Sequence, residues 1–239
     1  MKKAMDELKQ GMRDGIPIAL GYVSVSFTFG LMAVSVGMTW WQALLISVTN
    51  LTSAGQFAGL DIMVAGGSLM EMALTEFVIN LRYALMSLSL SQKVDKTLDL
   101  VNRLAVSFGV TDEIFAVAVS RDHKVNKYYM YGLIAVPYIG WQAGTLAGAL
   151  LGNVLPEMVG NALGIAIYGM FLAIIVPQAR QESPVLKVIL IAVFMSCCFY
   201  WIPGLKRVSS GFVIIVCAVA ASALGALLYP IEETDEADV

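Results

Sequence analysis

Charge is nearly absent from long stretches of this chain. Between Gly15 and Gln92 the only charged residues are Asp61, Glu71, Glu76 and Arg82; between Tyr128 and Ala179 the only one is Glu157; from Val208 to Ile231 there is none. A soluble domain carries roughly 25% charged residues, whereas here 14% are charged and 58% are hydrophobic. A helix needs about 20 apolar residues to cross a bilayer. The pattern therefore predicts an all-α, polytopic membrane protein with about seven apolar segments. They fall near Gly15–Val36, Trp40–Ala65, Ser68–Leu90, Tyr128–Gly152, Met158–Pro177, Val185–Ile202 and Val208–Tyr229. A weaker stretch, Val101–Val119, carries Asp112 and Glu113 inside it.

One of these segments is interrupted. Thr49-Asn50-Leu51-Thr52-Ser53-Ala54-Gly55-Gln56 is uncharged but polar, and it divides Trp40–Ala65 in two. Lipid cannot satisfy an open backbone N–H or C=O, so a helix opens at that depth only where protein or a cavity replaces the lost bonds. Carriers use such openings to present peptide dipoles and amide side chains to a substrate. The organisation expected is an N-terminal segment over residues 1–14, a transmembrane transporter domain over 15–230 and an acidic tail over 231–239. Met1 to Asp14 alternates basic and acidic residues and shows no cleavable signal pattern, so it is expected to stay in the cytoplasm.

Basic residues in short loops favour the cytoplasmic side of a membrane. Lys2, Lys3, Lys9 and Arg13 place the N-terminus there; Lys93, Lys96, Arg103, Arg121, Lys124 and Lys127 ask for the same side. Three full crossings before Lys93 violate that preference. Two re-entrant elements restore it, one turning at Ser53-Ala54-Gly55 and one near Gly109-Val110-Thr111. Kinked full spans are the alternative. Trp41-Gln42-Ala43 recurs as Trp141-Gln142-Ala143, which raises an inverted repeat as a possibility.

Four groups of residues invite chemistry. A carboxylate at mid-bilayer costs about 2.5–3.5 kcal/mol and needs a partner or a task. Asp112 and Glu113 fit that description, and burial favours the protonated form of an acid, which proton coupling requires. Their competing reading is a solvated surface loop. Arg82, in Asn80-Leu81-Arg82-Tyr83, does not share a helical stripe with Glu76, so its expected partner is Asp112, Glu113 or a substrate carboxylate; an arginine snorkelling to the interface is the alternative. In the break, Asn50, Ser53, Gly55, Gln56 and Phe57 are candidates for substrate contact. Ser24 and Thr28, on the small face Pro17-Gly21-Ser24-Thr28-Leu31-Ser35, line either a pathway or a helix contact; Asn80 and Thr111 join them as pathway candidates.

Cys197, Cys198 and Cys217 are too few for a disulfide framework and read as buried small hydrophobes. His123, the single histidine, falls among Arg121, Asp122 and Lys124 and reads as a solvated loop residue. No metal site or cofactor is expected. The net charge of −3 says little about partners, and none is expected among nucleic acids.

Gly15-Ile16-Pro17 with Gly21 and Phe29-Gly30, Ser53-Ala54-Gly55-Gln56-Phe57-Ala58, Asn80-Leu81-Arg82-Tyr83 and Thr111-Asp112-Glu113 occur in that order over the first half of the chain. In this the sequence resembles AzlC-type proteins, the large subunit of bacterial branched-chain amino acid exporters. The resemblance implies a plasma-membrane carrier of valine, leucine, isoleucine, methionine and related neutral amino acids. It implies coupling to protons, and a small AzlD-type membrane subunit as partner. Two rival classes remain open on the residues alone: an intramembrane protease using Asp61 and Asp112, and a channel or non-transporting assembly subunit. The first lacks the glycine-aspartate setting such an enzyme needs, and no His-Glu-x-x-His motif is present.

Overall fold

The computed structural model describes residues 2–151, 172, 175–177 and 179–229. Its regular structure is helical, apart from one isolated bridge between Val94 and Val125. The helices are α1 (Lys2–Ser35), α2 (Trp40–Thr49), α3 (Ser53–Val64), α4 (Leu69–Lys93), α5 (Leu100–Phe108), α6 (Asp112–Val119), α7 (Lys127–Leu151), α8 (Ser183–Trp201) and α9 (Ser210–Leu228). Two compact units emerge, one of residues 1–60 and 79–169, the other of residues 61–78 and 170–239.

Among the described residues α1, α7, α8 and α9 are long and apolar enough to cross a membrane. Helix α4 has 25 residues but carries Glu71, Glu76 and Arg82. The expected segment Met158–Pro177 lies almost wholly outside the described residues, as does the tail 231–239.

The first unit is built on α1 and α7. Lipid tails are as apolar as leucine, so helices associate there by close packing of small residues. Gly11 of α1 lies against the Tyr129 carbonyl and the Leu133 amide, and Gly30 against the Thr145 carbonyl and the Ala149 amide. Contacts that advance together along both helices make the pair parallel. From the α7 side, Gly132, Gly144 and Gly148 lie against the backbone of Leu8, Val23 and Phe27. The buried face of α1 therefore holds Gly11, Gly15, Ile18, Tyr22, Ser26 and Phe29. The small face read from the sequence points largely elsewhere: Pro17, Gly21, Ser24 and Ser35 are exposed.

Short helices in this unit are hairpin arms. The longest, α3, has 12 residues, roughly 18 Å against a hydrocarbon core of about 30 Å. The Asp95 amide donates to the Val125 carbonyl at 2.9 Å, and the Val125 amide donates to the Lys93 carbonyl at 3.0 Å. The segments entering α5 and leaving α6 are thus bonded side by side, so α5–α6 enters and exits at one face. Arg121 pairs with Glu7 at 3.0 Å, and Tyr129 donates to Asp14 at 2.9 Å, which brings the start of α1 to that same basic face.

Helix α2 runs the other way, from the far end of α1. The Gln142 amide donates to the Ser47 carbonyl at 2.9 Å, and the Tyr138 hydroxyl donates to the Val48 carbonyl at 3.0 Å. Tyr138 is roughly 16 Å along α7 from Lys127, so the break after Thr49 lies near mid-depth. Helix α3 then doubles back. Gln56 returns beside Ser47 at 3.3 Å, and the Phe57 ring reaches Phe29 at 5.6 Å between centroids. Both interrupted segments are re-entrant.

The two hairpins open towards opposite ends of the α1–α7 pair, as the possible inverted repeat requires. The Trp41/Trp141 match does not mark it, because Trp41 lies at the start of a hairpin arm and Trp141 lies inside α7.

In the second unit α8 and α9 are antiparallel, with Gly225 against Val188. The Gly211 amide at the start of α9 donates to Glu71 Oε1 at 3.1 Å, a carboxylate at the positive end of a helix. Cys217 is buried as expected, but Cys197 is exposed, because no residue of α8 is buried.

Candidate functional site

Two helix breaks at mid-depth create the site. At the first, Asn50 is extended (φ −139°, ψ 119°), and its side-chain oxygen accepts from the Thr52 amide at 2.9 Å, an Asx turn that competes with helix. Gln56 donates to the Asn50 carbonyl and accepts from Ser47. The amides of Asn50 and Gln56 thereby take over backbone groups that lipid would leave empty. At the second break Thr111 is extended (φ −120°, ψ 174°) and its hydroxyl caps the Ile114 amide. Asp112 and Glu113 occupy the first turn of α6, where negative charge offsets the helix dipole.

Tyr138 touches both tips. Its hydroxyl donates to Val48 and its ring meets Phe108 at 6.2 Å. Beside them α4 contributes Arg82, which pairs with Asp112 at 2.7 Å. The arginine thus has one of the acidic partners its helical spacing demanded. The two side chains remain 42% and 35% exposed, so the pair borders open space rather than sealed core. Tyr83 shares a side-chain hydrogen bond with Thr52, tying α4 to the first tip.

From α1, the Tyr22 hydroxyl lies 2.6 Å from Thr111 Oγ1 and 2.7 Å from Glu113 Oε2. A phenol has a single proton to donate. Tyr22 can therefore donate to only one of the two, and with its proton on the Glu113 carboxylate it accepts from the Thr111 hydroxyl. The Trp141 ring stands edge-on to Tyr22 at 5.2 Å, and its buried Nε1 has no partner among the described residues.

The candidates separate clearly. Arg82, Asp112, Glu113 and Thr111 gather at the second tip, whereas Asn50 shapes the first tip and Ser53 opens α3 there. Gly55 and Gln56 are buried in the hairpin, where Gln56 fastens its arms. Phe57 packs on Phe29, a turn away from the tip. Ser24 is exposed, its carbonyl accepting from buried Thr28 at 3.2 Å. Asn80 is half-buried on α4. Tyr22, Thr52, Tyr83 and Trp141 were not singled out from the sequence, although Thr52 and Tyr83 lie inside the stretches that were. His123 is an exposed loop residue, and among the described residues no His, Cys, Asp and Glu cluster could hold a metal ion.

The sequence matches the AzlC protein family over residues 17–155, more than half of its length and all of the two-hairpin site. The chain belongs to the AzlC family. It is 28% identical over 181 residues to the inner membrane protein YgaZ of Escherichia coli, covering 73% of this chain and 74% of YgaZ. It is 31% identical over 181 residues to a membrane protein of Archaeoglobus fulgidus, covering 75% and 78% of the two chains. A Helicobacter pylori membrane protein is 27% identical over 156 residues, with 62% and 68% covered. No solved structure matches this AzlC-family protein.

Proposed function

We propose that this AzlC-family membrane protein is the large subunit of a secondary-active, proton-coupled exporter of valine, leucine, isoleucine, methionine and related neutral amino acids. The observation that supports the reading is the Arg82–Asp112 ion pair at one hairpin tip, with Tyr138 of α7 reaching both that hairpin and the other. A zwitterion matches that pair charge for charge. Its carboxylate replaces Asp112 on Arg82 and takes the amides that open α3 at Ser53 and Ala54; its ammonium replaces Arg82 on Asp112. Substrate and ion pair then exchange without leaving a charge unpaired, which would cost several kcal/mol at this depth.

Glu113 is the proton carrier in this reading, with Tyr22 and Thr111 re-orienting their hydroxyls as it loads and unloads. Protonating Glu113 neutralises a charge beside Asp112 and loosens the hold on the ammonium. In this reading the basic face is cytoplasmic, which the distribution of Lys and Arg favours, and the N-terminus lies on the cytoplasmic side of the bacterial plasma membrane. A small AzlD-type subunit completes the carrier.

The test is leucine flux in vesicles made with the full chain, with and without the small subunit, under an imposed pH gradient. Flux that follows the proton gradient and is lost in Asp112→Asn supports the carrier. Flux that ignores the pH gradient makes it a channel, and peptide cleavage without flux makes it a protease.

A further inference from the structure

A second cavity lies apart from the two tips. It holds about 110 Å³ between α4 and α5 and is lined by Ser87, Leu90, Val94, Leu98, Val106 and Val110, among others. Its position is informative. Val94 belongs to the bridge on the basic face, while Val110 is buried in the break next to Thr111. The cavity thus runs from the basic face towards the ion-pair site, with Val110 between the two.

Arg103 also lines it. Its Nε donates to the Leu98 carbonyl at 2.9 Å, which fixes the guanidinium plane at the cavity wall. Arg103 is otherwise exposed, so its terminal nitrogens open outward at the mouth of the cavity. An apolar chamber beside a fixed guanidinium suits a carboxylate attached to a small hydrocarbon group. An engineered cavity of roughly 150 Å³ accepts benzene, so this open pocket has room for an isobutyl or isopropyl group.

We infer that this cavity is a second, cytoplasmic-side amino acid site, which holds a branched apolar side chain between α4 and α5 and the carboxylate on Arg103 before transfer past Val110. The inference rests on the exporter reading. It adds a specificity step: the side chain is sized here, and the zwitterion is exchanged at the tips.

Everted vesicles containing the full chain together with the small subunit present the cytoplasmic face to added substrate. Ser87→Leu and Ser107→Leu fill the chamber from opposite walls. Each is expected to raise the leucine KM about tenfold, the scale of one methylene group in a tight pocket, and to leave the alanine KM unchanged. Arg103→Ala raises both KM values, and Arg103→Lys restores part of the loss. Ser107→Val is the smaller fill should a leucine variant not fold, as judged by size-exclusion profile. Unchanged leucine KM in the filled variants overturns the inference, as do equal changes for leucine and alanine. Loss of a co-purifying lipid with leucine KM unchanged overturns it in favour of an acyl-chain pocket. Wild-type vesicles without amino acid flux would instead defeat the exporter reading itself.

Discussion

The two hairpins solve one problem with different chemistry. The α2–α3 tip closes its backbone with neutral amides: Asn50 accepts from Thr52, and Gln56 donates to Asn50. Its α3 arm is buried from Gly55 to Leu60. The α5–α6 tip is capped by Thr111 and carries Asp112 and Glu113, with α5 largely exposed. The neutral tip is fastened inside the protein, while the charged tip depends on Arg82 and Tyr22 from other helices. In the proposed carrier the first tip is the scaffold that presents peptide dipoles and the second is the site that exchanges ions.

That contrast can be broken by mutation. Arg82→Ala or Asp112→Asn should cut leucine flux about 100-fold, since truncating one member of a hydrogen-bonded charge pair costs about 2–5 kcal/mol and this pair is part-exposed. The double variant should be little worse than either single one. Wild-type flux in both singles would show the charged tip to be structural. At the neutral tip Gln56→Leu leaves the Asn50 carbonyl unpaired, for about 1–3 kcal/mol. It should lower the melting temperature measurably and raise KM without altering proton coupling. A loss of coupling there would erase the distinction between the tips.

Tyr22→Phe removes the phenolic proton and keeps the ring against Trp141. It should displace the pH profile of transport while binding at saturating pH stays within about fivefold, since a single hydrogen bond is worth about 1 kcal/mol. An unmoved profile would take Tyr22 out of proton handling. The smallest effect is expected at Asp99, which caps α5 through the Asn102 amide at 2.9 Å. That backbone bond holds its carboxyl below the usual range. Its stabilisation is therefore complete above the ordinary aspartate pKa of about 3.9 and fades as pH falls through the lower folded value. Asp99→Asn, still a good cap, should flatten thermal stability below about pH 4 and leave neutral stability nearly unchanged.

The parts of this fold legible in the sequence are those that lipid makes costly. Apolar segments, the break at Asn50–Ser53 and the demand of Arg82 for an acidic partner all follow from the expense of bare dipoles and charges in a bilayer. Re-entrance followed from the same logic applied to Lys93, and the Val94–Val125 bridge shows it. Pairwise packing was not legible. Small residues occur on two faces of α1, and only the matching glycines of α7 decide which face is buried. Tyr22 gave no signal because a hydroxyl in an apolar stretch has many possible partners, and Gln56, read as a substrate contact, instead fastens the arms of its own hairpin. Phe57 was assigned to a pocket by its chemistry, whereas its direction is set by Phe29.

The glycine seam between α1 and α7 limits how this protein can work. Side-chain knobs can slide past one another, but here carbonyls and amides of two parallel helices lie almost in touch, and any lateral slip drives main chain into main chain. The seam is a keel. If the protein is the carrier proposed above, its moving parts are the hairpins and not this spine, and a bulky residue at Gly30 or Gly144 would force the two helices apart.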